Sequence, residues 1–103
     1  MGLLSGLFNS TPETDFKTLV KNGALIIDVR TPAEYETGHI PGSVNIELSS
    51  INFSLSDIKK KNKTIIAVCR SGSRSGMAVT VLNAAGIEAY NGGPLDSLQQ
   101  MIA

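Results

Sequence analysis

The chain has one cysteine, Cys69, one histidine, His39, and no tryptophan among its 103 residues. A single cysteine forbids an internal disulfide, and with one histidine beside it the usual Cys/His zinc-ligand sets are excluded. No metal site and no cofactor are therefore expected. An excess of one charge is missing too: nine basic residues balance nine acidic ones. Polyanion binders ordinarily carry a basic surplus, so nucleic acid is not expected as a partner. No run approaches the roughly 20 apolar residues that span a bilayer. Met1–Phe8 is apolar, yet it lacks a basic n-region and a small-residue cleavage site, and Gly6 stands where a myristoylation pattern needs Ser or Thr. Residues 1–10 read as a flexible N-terminal arm. No membrane partner is expected, and the lone free thiol suits a reducing, cytoplasmic setting.

What remains is ordinary for a globular chain, 42% hydrophobic and 17% charged, and the length suits one domain, placed over 11–103. Neither of two β-branched runs, Ala24–Val29 and Thr64–Val68, alternates in polarity, so each predicts a strand buried on both faces. Shorter strand candidates are Ser43–Ile46 and Ile87–Tyr90. Ser10, Pro12 and Glu13 suggest a helix start ahead of Phe16, Leu19 and Val20, with Gly23 as the stop. Thr31, Pro32 and Glu34 repeat the capping pattern for a short helix ending at Gly38. A third helix is predicted over Ser73–Ala85 and a last one is opened by Pro94, with Leu95, Leu98 and Ile102 on one face. The basic run Lys59–Lys63 reads as a solvated loop. Strands alternating with helices give an α/β domain: a mainly parallel central sheet with helices on both faces.

The chemistry concentrates in Cys69-Arg70-Ser71-Gly72-Ser73-Arg74-Ser75. This segment leaves the carboxyl end of a buried strand and enters a helix N-terminus, where open α/β sheets place ligands. Its small residues let backbone N–H groups converge into an anion cradle. Those donors, with Arg70 and Arg74, favour a Cys69 thiolate. A plain buried core cysteine would not recruit two arginines and three serines beside it.

This loop resembles the six-residue active-site loop of the rhodanese-like domains, with Cys69 first and Arg74 last. Asp28-Val29-Arg30, Glu34-Tyr35 and Gly38–Ile46 are similar to the family's upstream signature, and Asn91-Gly92-Gly93 to its glycine pair. The missing Trp after that pair is a departure, and Leu95 or Leu98 is expected to fill its space. The resemblance implies a sulfurtransferase. Cys69 would take the outer sulfur of thiosulfate or a related donor as a persulfide and hand it to a thiol or cyanide. Arg70, Ser71, Gly72, Ser73, Arg74 and Ser75 would bind the donor. The expected partners are a small-molecule sulfur donor, a thiol acceptor and an acceptor protein, the chain itself acting as a monomer. Asp28 and Arg30 are expected to be structural, paired with each other or tying the sheet end to the loop. His39 reads as a hydrogen-bonding turn residue rather than an acid or base. Gly92 and Gly93 are expected to permit a turn.

Two other readings stay open. Phosphatases and arsenate reductases of this fold resemble Cys followed by five residues and then Arg, one residue longer than the loop here, to encircle a tetrahedral oxyanion. The other is a persulfide carrier or regulatory binding module serving a partner protein.

Overall fold

The computed structural model describes residues 14–103, and the N-terminal arm, with the Ser10, Pro12 and Glu13 signal, lies outside them. The described chain runs α1 (Phe16–Lys21), β1 (Leu25–Asp28), α2 (Pro32–Glu36), β2 (Val44–Asn45), a 3-10 turn (Leu48–Ser50), α3 (Ile51–Lys61), β3 (Ile65–Cys69), α4 (Ser73–Ala84), β4 (Ala89–Pro94) and α5 (Leu95–Ile102). The four strands are parallel in the order β2-β1-β3-β4. Leaving β1 the chain moves to one side of the sheet, and leaving β3 it moves to the other. The carboxyl ends of β1 and β3 therefore flank the topological switch point, where a crevice opens.

The two unalternating runs are the inner strands, as their composition requires. Along β3 the side chains divide between two cores. Ile65, Ala67 and Cys69 join Ile51 and Ile58 of α3 and Ala78, Val79 and Leu82 of α4. Ile66 and Val68 face the other way, onto Phe16 of α1 and Leu98 of α5. Every residue of β3 is fully buried, and each such Ile or Val side chain stabilises the fold by about 1.5–3 kcal/mol. Leu98 is fully buried and Leu95 packs partly beside it, so an aliphatic pair covers this face without a tryptophan.

Three elements differ from the sequence reading. Helix α3 was not expected, and Lys59–Lys61 form its last turn rather than a loop, closed by Asn62 in the left-handed conformation. Its periodic signal is faint because it buries only Ile51 and Ile58 while Phe53 is 89% exposed. Helix α1 starts at Phe16, where the Asp15 side chain accepts from the Thr18 N–H. The final strand begins later than Ile87 and continues through the glycine pair to Pro94. Gly92 and Gly93 thus do not make a turn after the strand; they make a bulge inside it. Ala67 pairs with Asn91 and Val68 with Gly93, which leaves Gly92 as the extra residue. A Cβ on Gly92 would lie 2.9 Å from both Ile66 Cγ2 and Val68 Cγ1, and Gly93 has φ +73°. Only glycines permit this crossing.

Candidate active site

Cys69 is the last residue of β3 and points toward α4, so its Sγ lies under the loop that opens that helix. Gly72 caps α4 at φ +95°, and a Cβ there would meet Gly93 Cα at 3.2 Å. The loop can turn this tightly because a glycine of the bulge passes beneath it. The turn aims backbone donors inward: the N–H of Gly72 reaches Sγ at 3.0 Å and that of Ser75 at 3.3 Å, with Ser75 Oγ at 3.4 Å. Burial pushes the Cys69 thiol up, but the hydroxyl and N–H of Ser75 and the N–H groups of Gly72 and Ser71 together outweigh it. The net position lies below the ordinary thiol value.

Both loop arginines lie beside Glu34. Arg74 is committed to Glu34 of α2, Nη1 to Oε1 at 2.7 Å and Nη2 to Oε2 at 3.1 Å. It ties the loop to α2, and its charge also interacts with the Cys69 thiolate, while the largest lowering effects on the thiol are the loop hydrogen bonds. Arg70 is largely exposed, with Nε 3.8 Å from Glu34 Oε2. Glu34 also completes a capping box with Thr31. The Arg74 guanidinium and then the Thr31 N–H hold its carboxyl down at about 2. Ser71 and Ser73 are exposed at the loop rim, where the Ser71 hydroxyl accepts from the Ser73 N–H at 3.4 Å.

Asp28 and Arg30 pair as expected, both buried, Nη2 to Oδ2 at 2.7 Å. Arg30 also donates to the carbonyls of Glu34 and Gly38, so the pair pins the segment that carries Glu34. His39 is a turn residue: Nδ1 lies 2.9 Å from the Tyr35 carbonyl oxygen and its ring stacks on Tyr35 at 3.7 Å. Beside the loop an open polar cleft of about 420 Å³ is lined by Arg30, His39, Arg70, Leu95, Asp96 and Gln99, among others.

Asn91 and Glu34 were not read from sequence as site residues. Asn91 Nδ2 donates to the Gly72 carbonyl at 3.0 Å, and its Oδ1 accepts from Ser75 Oγ at 2.7 Å and from the Gly93 N–H at 2.8 Å. The one available signal was an asparagine directly before a glycine pair, a common Asx-turn arrangement.

The family model of the rhodanese-like domain matches residues 13–94. The chain belongs to that family. It is 32% identical over 78 residues to the thiosulfate sulfurtransferase GlpE of Pseudomonas syringae, covering 73% of this chain and 70% of that protein. It is 38% identical over 63 residues to the putative sulfur carrier protein YrkF of Bacillus subtilis, covering 61% and 34%. Among solved structures, a rhodanese-like domain protein from Staphylococcus aureus superposes with a TM-score of 0.68 at 32% identity, covering 80% of this rhodanese-like chain and 86% of that one. For several other curated relatives the match spans between 15% and 59% of their length.

Proposed function

We propose that this rhodanese-like domain is a sulfurtransferase that carries a sulfane sulfur as a persulfide on Cys69. The observation that carries the reading is the convergence on one sulfur of the Gly72 and Ser75 N–H groups, at 3.0 and 3.3 Å, under a helix N-terminus. The Cys69 thiolate attacks the outer sulfur of thiosulfate; a new S–S bond forms, the old one breaks, and sulfite leaves with the electron pair. The negative charge then sits one sulfur further out, next to the loop N–H donors that hold the thiolate. An acceptor thiolate attacks that terminal sulfur, takes it, and restores the Cys69 thiolate. The polar cleft beside the loop, lined in part by Arg70, offers room for donor and acceptor next to it. Cyanide serves as acceptor by the same displacement.

The loop argues against oxyanion chemistry of the phosphatase kind. Arg74 is the fifth residue after Cys69 and is held by Glu34, which leaves a ring one residue shorter than the phosphatase pattern. Delivery of the sulfur to a protein rather than a small thiol is the carrier form of the same chemistry, and the sulfur carrier relative supports it. Intact mass after incubation with thiosulfate tests the reading. One added sulfur is expected, and none in Cys69→Ser. An unchanged mass over the full incubation would overturn it.

A further inference from the structure

The Ser75 hydroxyl has one proton and two neighbours that accept it. Ser75 is fully buried, with Oγ 2.7 Å from Asn91 Oδ1 and 3.4 Å from Cys69 Sγ. The orientation of the Asn91 amide is fixed by partners that allow no alternative. Its nitrogen faces the Gly72 carbonyl, which only accepts, and its oxygen faces the Gly93 N–H, which only donates. The atom turned toward Ser75 is therefore an acceptor, and the serine must donate to it. With its proton so engaged, Ser75 presents lone pairs to Cys69. A protonated thiol completes this chain by donating S–H to Ser75 Oγ. A thiolate cannot, and the hydroxyl must turn away from Asn91 to donate to it.

We propose that Asn91 is a positioning residue for the Cys69 nucleophile, acting through Ser75 by competing with the thiolate for the single hydroxyl proton. This rests on the sulfurtransferase reading only for its purpose, since the competition itself concerns the resting thiol. Asn91 Oδ1 keeps the Gly93 N–H when the serine turns, so the exchange leaves no orphaned acceptor and remains reversible. The purpose follows from sulfur reactivity: a thiolate made too stable is a poorer nucleophile, and the best attacking thiol titrates near the ambient pH. The N–H cradle lowers Cys69, and Asn91 limits how far. The charged groups around the site are Arg70 and Arg74, Glu34 of α2, the Asp28–Arg30 pair at the end of β1, and Asp96 of α5 in the adjoining cleft. Replacing Asn91 or Ser75 by Ala removes none of these charges.

The test is a double-mutant cycle read by thiolate absorbance near 240 nm against pH. Asn91→Ala frees the hydroxyl and is expected to shift the Cys69 midpoint down by about half a unit to one unit, the worth of one hydrogen bond. Ser75→Ala removes the donor and is expected to shift it up. In the Ser75→Ala background, Asn91→Ala should do nothing further. A merely structural asparagine, acting by loosening Gly72, would shift the midpoint up and would do so in both backgrounds; that result overturns the proposal. Should Asn91→Ala not fold, Asn91→Asp keeps an acceptor for both partners. Its upward shift must shrink when Ser75 is replaced, and an equal shift in both backgrounds also overturns the proposal. Thiosulfate loading of the wild-type chain, followed by mass, decides the sulfurtransferase reading separately.

Discussion

Glu34 and Arg74 stand 40 positions apart in sequence and meet through two hydrogen bonds, of 2.7 and 3.1 Å, between one carboxylate and one guanidinium. The pair joins the capping box of α2 to the first turn of α4, and so fixes the outer wall of the Cys69 loop against the end of β1. A loop held this way has its N–H donors in place before any sulfur donor arrives, which is what electrostatic stabilisation of a developing anion requires.

Loss of the pair should act through loop position. Arg74→Ala and Glu34→Gln are each expected to lower kcat/KM for thiosulfate by roughly ten- to hundredfold, the scale on which small misplacements act, with a smaller effect on melting temperature. The double variant should be little worse than either single one, because both remove the same tie. Arg74→Lys should recover only part, since an ammonium cannot reproduce the two-pronged contact. Additive losses in the double variant would mean that Arg74 acts on the donor independently of Glu34.

Acid should undo the same tie. The Glu34 carboxyl is held at about 2 in the folded chain against an ordinary 4.5, chiefly by Arg74. A depressed carboxylate contributes stability that is fully present above its unfolded value and is lost as pH falls through the folded one. Melting temperature should therefore decline between about pH 4.5 and 2, less steeply in Glu34→Gln. Identical acid profiles for the two proteins would place the acid sensitivity elsewhere.

The sheet, the loop and the Asp28–Arg30 pair were legible in sequence because each is local. Short unbroken β-branched runs bounded by turn signals favour buried strands, a Cys followed by small residues at a strand end favours a tight loop, and charges two positions apart at a strand end are close enough to pair. The Glu34–Arg74 tie and the Asn91–Ser75 contact were not legible. They depend on which strand ends lie side by side, and in the second case on a one-residue register shift that places Asn91 under the loop. Helix α3 escaped because only two isoleucines seven positions apart are fully buried, with Leu55 packed partly beside them.

That register shift makes Gly92 the most sensitive glycine. A Cβ there would press at 2.9 Å on the side chains of Ile66 and Val68, both fully buried and stiff at χ1. Gly92→Ala is expected to destabilise the fold by about 1–3 kcal/mol, as overpacking does, a fall in melting temperature on the order of 4–8 °C per kcal/mol. It should also disturb the Cys69 titration, because Asn91 and Gly93 flank the shifted residue. Gly23→Ala, where open space surrounds the position but φ is +100°, should cost stability without moving the thiol. A Gly92→Ala variant with unchanged melting and unchanged titration would mean that the bulge does not position the site.

The persulfide should be a stable, monomeric species that only an outside nucleophile can discharge. Cys69 is the one cysteine in the chain, so no internal thiol can attack the sulfane sulfur and form a resolving disulfide. Two domains could resolve each other only through a Cys69–Cys69 bond. Bridged cysteines need their Cα atoms within about 7 Å, yet this one is fully buried, its sulfur covered by Gly72 and Ser75. Two copies could not bring their backbones that close without unfolding both loops. With thiosulfate present and acceptor withheld, the added sulfur should persist. Its decay should then rise in proportion to added thiol or cyanide, as a bimolecular displacement must. Intact mass over time and non-reducing electrophoresis measure the two quantities. Prompt formation of a disulfide-linked dimer, or sulfur loss at a rate indifferent to acceptor concentration, would show that Cys69 is reached without the loop's consent. The cradle would then be a feature of the resting fold and not of the sulfur-loaded one.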